Sequence, residues 1–279
     1  MCPKYWFLES RQSRDNARAD WYVWADPKPD GSPPNNWLSA FSGRSAWQWA
    51  PERRQFYFYN FLSSQPDLNW RNPAVVEAIL KRAKFWLDRG VDGFRVDAPN
   101  FFLHDEQLRD NPPRPADSPR PEGVDAENPM VLQQFKYNFC QPETLEAIKP
   151  VRELLDNYPS VVALAEVTLS EDSVALASEY VQGDKRFHLA YHSALLTDEP
   201  ISAKLMRRTL ERTIEHFREG GGCWIVGNHD YGRLRSRWTG ADASKNPYSD
   251  EFYRMVAALL LSPPGAFCPY QGNELGLPE

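Results

Sequence analysis

Three carboxylates in this sequence stand at the same kind of place. Asp97 ends the run Val91-Asp-Gly-Phe-Arg-Val-Asp97, Glu166 follows Val161-Val-Ala-Leu-Ala165, and Asp230 follows Cys223-Trp-Ile-Val226 and Gly227-Asn228-His229. Each time an apolar run delivers a carboxylate to a polar loop. Continuous apolar runs suit parallel strands buried on both faces. Active sites of parallel α/β folds form at the C-terminal ends of such strands. Three carboxylates delivered this way converge on one mouth. Isolated buried carboxylates are costly, so a trio argues for chemistry more than for packing. Arg95 precedes Asp97 by two residues, so on a strand both face the same way. A guanidinium there keeps a carboxylate ionised. One such pair alone reads as a structural ion pair; the recurrence of the pattern changes the balance. His229 taken alone reads as a satisfied core or surface histidine, and only its place beside Asp230 lifts it. Arg233 and Arg237 follow Asp230 at helical spacing, and a solvated face and a site border weigh equally for them.

The elements that position these residues follow a regular grammar from Asn72 onward. Asn72 can cap a helix with Pro73 at its first position. Val75, Val76, Ile79, Leu80, Ala83, Phe85, Trp86 and Leu87 supply its apolar side, and Gly90 stops it. The strand to Asp97 comes next, then a proline-rich excursion over residues 110–121 that is too long for a routine connection. Further helices are predicted over about 142–158, 171–180, 201–217 and 252–261. Further strands are predicted over 161–166, 186–192, 223–230 and 265–270. Five strands alternating with helices imply an α/β fold with a parallel sheet. Residues 1–70 are irregular and aromatic. They include a short helix after Trp6, turn chemistry over residues 27–36 and one strand over residues 54–60. Two domains are expected, 1–70 and 71–279.

Gly93-Phe94-Arg95-Val96-Asp97, Ala165-Glu166-Val167 and Asn228-His229-Asp230 resemble three signature regions of the α-amylase superfamily (glycoside hydrolase family thirteen), in order and in rough spacing. Gln65-Pro66-Asp67-Leu68-Asn69 resembles a further signature of its α-glucosidase and oligo-1,6-glucosidase branch. So do Trp6-Phe7-Leu8-Glu9-Ser10, Asp20-Trp21-Tyr22-Val23-Trp24 and Tyr270-Gln271-Gly272-Asn273-Glu274-Leu275-Gly276. The resemblance implies a (β/α)8 TIM barrel, of which the five strands correspond to strands 4–8. Residues 1–70 resemble the small domain inserted after the third strand, which walls the cleft. A full barrel needs eight strands and typically about 250 residues before insertions. The chain is therefore expected to be a fragment lacking the first three strands and the C-terminal domain, poorly soluble or molten and of negligible activity when made alone.

The resemblance also implies roles. Asp97 is the nucleophile, and Glu166 is the general acid and then base of a retaining glycosidase. Asp230 binds sugar hydroxyls and stabilises the distorted ring, Arg95 keeps Asp97 ionised, and His229 donates to sugar hydroxyls. Arg233 and Arg237 border the acceptor side. Ala98, after the nucleophile, leans toward α-1,4 or relaxed specificity, since valine there accompanies α-1,6 cleavage in this branch. The expected substrate is a disaccharide or short oligosaccharide. The family's first signature and its nearby metal ligands have no counterpart, so no metal and no cofactor is assigned. A glucosyl-transferring or sucrose-acting relative is an alternative. A non-catalytic barrel relative ranks lower, because all three carboxylates are kept, and a product of gene truncation is a further alternative.

Composition is consistent with this reading and does not by itself select it. The chain has 279 residues, 42% hydrophobic and 25% charged, ordinary for a globular protein. A net charge of -6 gives no reason to expect nucleic acid or an anionic membrane as partner. Cys2, Cys140, Cys223 and Cys268 are far apart and form no zinc-type pair. No stretch approaches the ~18 apolar residues of a membrane span, and the N-terminus lacks a signal-peptide layout. A cytoplasmic location is expected.

Overall fold

The computed structural model describes residues 3–118, 120–124, 126–197, 199, 201–239 and 249–278. Cys2, and Pro119 of the proline-rich excursion, lie outside the described residues. The chain forms two compact units. One comprises Met1–Val91, Pro99–Arg120 and Val124–Leu154; the other comprises Asp92–Ala98, Pro121–Gly123 and Leu155–Glu279.

The first unit opens with helix α1 (Pro3–Gln12). Its antiparallel sheet has the order β1-β3-β2, with β1 at Trp24–Ala25, β2 at Trp47–Ala50 and β3 at Gln55–Phe58. The sequence predicts only β3; β1 has two residues, and β2, as long as β3, shows no alternation of burial. Its core is aromatic, with Trp37, Trp47, Phe56 and Phe58 buried together. Trp37 also donates its indole N–H to the Arg109 carbonyl at 2.9 Å. Asn36 and Asn111 exchange two hydrogen bonds, of 2.9 and 2.8 Å. The start of the proline-rich excursion is thereby tied into this unit.

Helix α2 (Pro73–Leu87) begins as predicted, with the Asn72 side chain accepting from the Ala74 N–H at 3.0 Å. Its predicted apolar side is only partly used: Val75 and Leu87 are buried, whereas Phe85 and Trp86 are about half exposed. Their rings meet edge to face, and the Arg89 guanidinium covers Phe85 at 3.4 Å. Helical period alone does not say how wide a stripe the tertiary structure will cover. The single helix predicted over 142–158 is two, α3 (Thr144–Ala147) and α4 (Lys149–Leu155). Pro150 explains the break. It has no N–H to give the preceding turn, and its ring would strike that turn's carbonyl.

The second unit holds a parallel sheet in the order β4-β5-β6-β7-β8. These are Gly93–Val96, Val162–Val167, Leu189–His192, Gly222–Trp224 and Ala266–Phe267. Helices α5 (Ser173–Glu179), α6 (Ala203–His216), α7 (Leu234–Thr239) and α8 (Asp250–Leu260) accompany it. Asp172, Ser202 and Ser249 cap α5, α6 and α8 through side-chain oxygens that accept first-turn N–H groups. This is the α/β fold with five parallel strands that the sequence predicts. Trp224, Leu205, Met206, Trp238, Tyr253, Val256 and Leu260 form its main core, joining one face of the sheet to α6, α7 and α8.

Register decides what stands on the opposite face. Arg95 pairs with Leu164, Glu166 with Tyr191, and Tyr191 with Cys223. Residues paired across neighbouring strands share a face, so Arg95, Glu166, Tyr191 and Cys223 project together. Pairing of β4 with β5 depends on Gly93. Its φ is +153°, and a Cβ there would sit 1.9 Å from the Val162 carbonyl oxygen, which belongs to backbone and cannot swing aside. Gly93→Ala should destabilise the fold by roughly 2–4 kcal/mol, read as a lower urea midpoint.

Candidate active site

β4 and β5 present Arg95 and Glu166 side by side, and Asp97 lies one residue beyond β4. The Arg95 guanidinium binds both carboxylates. Its Nη1 reaches Asp97 Oδ1 at 2.8 Å, and its Nη2 donates to Glu166 Oε2. The Asp97 and Glu166 carboxyls thus share one guanidinium. Their surroundings differ. Asp97 keeps 75% of its side chain exposed, whereas Glu166 keeps 5%. Burial, then the neighbouring Asp97, push the Glu166 carboxyl up to about 7, while Arg95 and the Tyr191 hydroxyl pull it the other way. Burial also works against the Arg95 charge, and Tyr191 with the two carboxylates outweighs it.

Asp230 is delivered by the loop after β7. Asn228 donates to Glu166 Oε1 at 3.3 Å and accepts from the Asp230 N–H at 2.9 Å, which ties that loop to Glu166. His229 Nε2 lies 3.5 Å from Asp230 Oδ1 and is well exposed. Ala98 is buried behind Asp97 and takes the left-handed backbone conformation at φ 39°, a strained state for a residue with a Cβ. The structure turns the two arginines onto main-chain carbonyls instead of the carboxylates. Arg237 donates to the carbonyls of Leu195, Thr197, Val226 and Gly232 at 2.7–3.0 Å. Arg233 donates to the Gln271 carbonyl and lies over the Tyr270 ring.

Two residues of the cluster escape a reading of the sequence. Tyr191 is 3% exposed, and its hydroxyl accepts from Arg95 Nε at 3.2 Å and Nη2 at 3.0 Å. Asn228 is a motif residue whose contact with Glu166 has no signature in spacing. Only register could have signalled Tyr191, because its strand partner is Glu166.

The far end of the proline-rich excursion, Pro121–Gly123, is held beside the same strand ends. Glu122 bridges to Ser170 and accepts from the Ser173 N–H at the start of α5. Gly123 accepts from the Tyr231 hydroxyl at 2.9 Å. A Cβ at Gly123 would meet that hydroxyl at 2.7 Å.

A model of the alpha-amylase catalytic domain matches residues 3–279. The chain belongs to the alpha-amylase family. Among relatives, it is 46% identical over 274 residues to a probable alpha-glucosidase of Rhizobium meliloti (strain 1021), covering 98% of this chain and 49% of that one. It is 34% identical to an oligo-1,6-glucosidase of Heyndrickxia coagulans, covering 98% and 48%. Among solved structures, an alpha-glucosyl transfer enzyme, XgtA, superposes with a TM-score of 0.90 at 51% identity, covering 98% of this chain and 50% of that one. The chain spans about half the length of the relatives it matches.

Within this alpha-amylase domain the buried glutamate makes stability depend on pH. Its folded value, about 7, lies above its ordinary 4.5. Between those values the native state holds a proton that the unfolded chain releases. Stability from this group is full below pH 4.5 and is lost as pH rises through 7. Glu166→Gln keeps the neutral form at every pH. It should raise stability at pH 8 by on the order of 2 kcal/mol and leave it unchanged at pH 4, measured by urea unfolding at both values.

Proposed function

We propose that these residues serve a retaining glycosidase acting on short α-glucosides, with α-1,4 links preferred. The observation that carries the reading is one guanidinium shared by an exposed Asp97 and a buried Glu166 whose proton affinity is raised. Two carboxyls on one guanidinium, one of them buried with its proton affinity raised, suit a double displacement. Asp97 attacks the anomeric carbon. The glycosidic oxygen leaves with the Glu166 proton, and a glucosyl ester forms on Asp97. Water then attacks that carbon as Glu166 takes its proton back, and the configuration is retained. Asp230 and His229 bind sugar hydroxyls, and Arg95 keeps Asp97 ionised. Ala98 supports the α-1,4 preference, since valine at that position accompanies α-1,6 cleavage in the branch the sequence resembles. Arg233 and Arg237 border the acceptor side by holding its loop carbonyls, a less direct role than contact with sugar.

The likeness to an alpha-glucosyl transfer enzyme favours a second reading that shares the first half-reaction. A sugar hydroxyl replaces water as the acceptor, and the product is a new glucoside. In both readings β4 and β8 are the outer strands of the sheet. A strand with an open ladder edge is prone to mispairing, so the 279-residue chain alone should turn over slowly.

Release of nitrophenol from nitrophenyl α-glucoside tests this. It is measured on the 279-residue chain alone and after mixing with the part of the Rhizobium relative that lies outside the match. Turnover should appear in the mixture, and Asp97→Asn should lower it by about 10³-fold or more. Maltose should be cleaved faster than isomaltose. A strong preference for isomaltose would remove the role given to Ala98. Turnover unaffected by Asp97→Asn would remove the nucleophile assignment.

A further inference from the structure

The Tyr191 hydroxyl occupies a position that packing does not require. Its ring belongs to a buried cluster with Leu196, Cys223 and Ile225, and a phenylalanine would fill the same space. The oxygen, however, is fully engaged. It accepts from Arg95 Nε at 3.2 Å and from Nη2 at 3.0 Å. Those two bonds use both of its lone-pair directions, and its single hydrogen is left to donate. Glu166 is the register partner of Tyr191 across the β5–β6 pair.

The consequence for Arg95 is geometric. A guanidinium has five N–H groups in a rigid plane. With the Nε edge held on Tyr191, Nη1 is aimed at Asp97 and the remaining Nη2 hydrogen at Glu166. Arg95 is one-third exposed and Asp97 three-quarters exposed, so the fork is held from its buried edge, where Nε and Nη2 meet the Tyr191 oxygen. We propose, resting on the glycosidase reading above, that Tyr191 is a positioning residue for the reaction. Its buried hydroxyl orients the Arg95 guanidinium across the two carboxyls. Loss of the hydroxyl loosens the guanidinium whose charge favours the Glu166 carboxylate. Glu166 then holds its proton to higher pH, and Arg95 is freed to turn toward water.

Tyr191→Phe keeps the ring and deletes only the oxygen, so a purely structural tyrosine would leave the site unaltered. The readout is carboxyl-carbon NMR of the ¹³C-glutamate-labelled chain across pH, with Glu166 assigned by its disappearance in Glu166→Gln. In Tyr191→Phe the Glu166 midpoint should rise by ~0.5 unit or more. Replacing Tyr191 with 3-fluorotyrosine, whose more acidic hydroxyl is a weaker acceptor for Arg95, should raise it by a smaller amount. This second substitution serves as the test if Tyr191→Phe fails to fold. Where the mixture described above turns over, the alkaline limb of kcat/KM should follow the same direction, with kcat falling about tenfold in Tyr191→Phe. An unmoved midpoint in a variant with a native unfolding transition would overturn the proposal. A shifted midpoint without turnover in any form would uphold the positioning and count against the glycosidase reading.

Discussion

One guanidinium holds this site together. Arg95 contacts two carboxylates and a tyrosine oxygen at once, and each contact limits the others. Two neighbouring carboxylates repel when both are ionised. A cation between them lets one remain charged, while burial leaves the other near neutrality. A lysine would not do the same, because a point charge lacks the planar fork that serves three acceptors in fixed directions.

That arrangement makes demands on the backbone around it. Arg95 and Glu166 must share a face of neighbouring strands, and the β4–β5 register places Glu166 two residues beyond Leu164, the partner of Arg95. The strands can approach only because Gly93 carries no side chain against Val162. Beyond Asp97 the chain turns through a left-handed Ala98. Local strain of this kind persists only when its surroundings over-determine it, and here the fixed point is Asp97 on its guanidinium. On the far side, the Asn228 side chain links Glu166 to the loop carrying Asp230. Arg237 braces the same region through four carbonyls.

The proline-rich excursion shows how a long irregular segment can be held without secondary structure. Its start is fixed by the Asn36 side chain, which donates to the Asn111 carbonyl and accepts from the Asn111 N–H. Its end is fixed by Glu122 on the first turn of α5, where unpaired N–H groups favour an anion. Isolated main-chain pairings add to these side-chain ties, with the Arg114 N–H donating to the Leu132 carbonyl and the Glu122 N–H to that of Ser170. Proline suits such a segment, since it has no N–H to satisfy.

The sequence by itself determined the alternation of strands and helices and the carboxylates at strand ends. It also determined local signals such as the Asn72 cap, because these depend on neighbours a few residues apart. The same locality explains what it did not determine. The apolar period of α2 marks Phe85 and Trp86 for burial, yet coverage depends on what packs there, and both are half exposed. The charges of Arg233 and Arg237 are visible in the sequence, but not the carbonyls that receive them. Tyr191 reads as one more aromatic in an apolar run until β5 and β6 pair Glu166 with Tyr191. Pairing register joins residues 25 or more apart and moves every side chain to the other face with a one-residue slip. Only the tertiary structure could therefore decide which oxygen stands beside the buried glutamate.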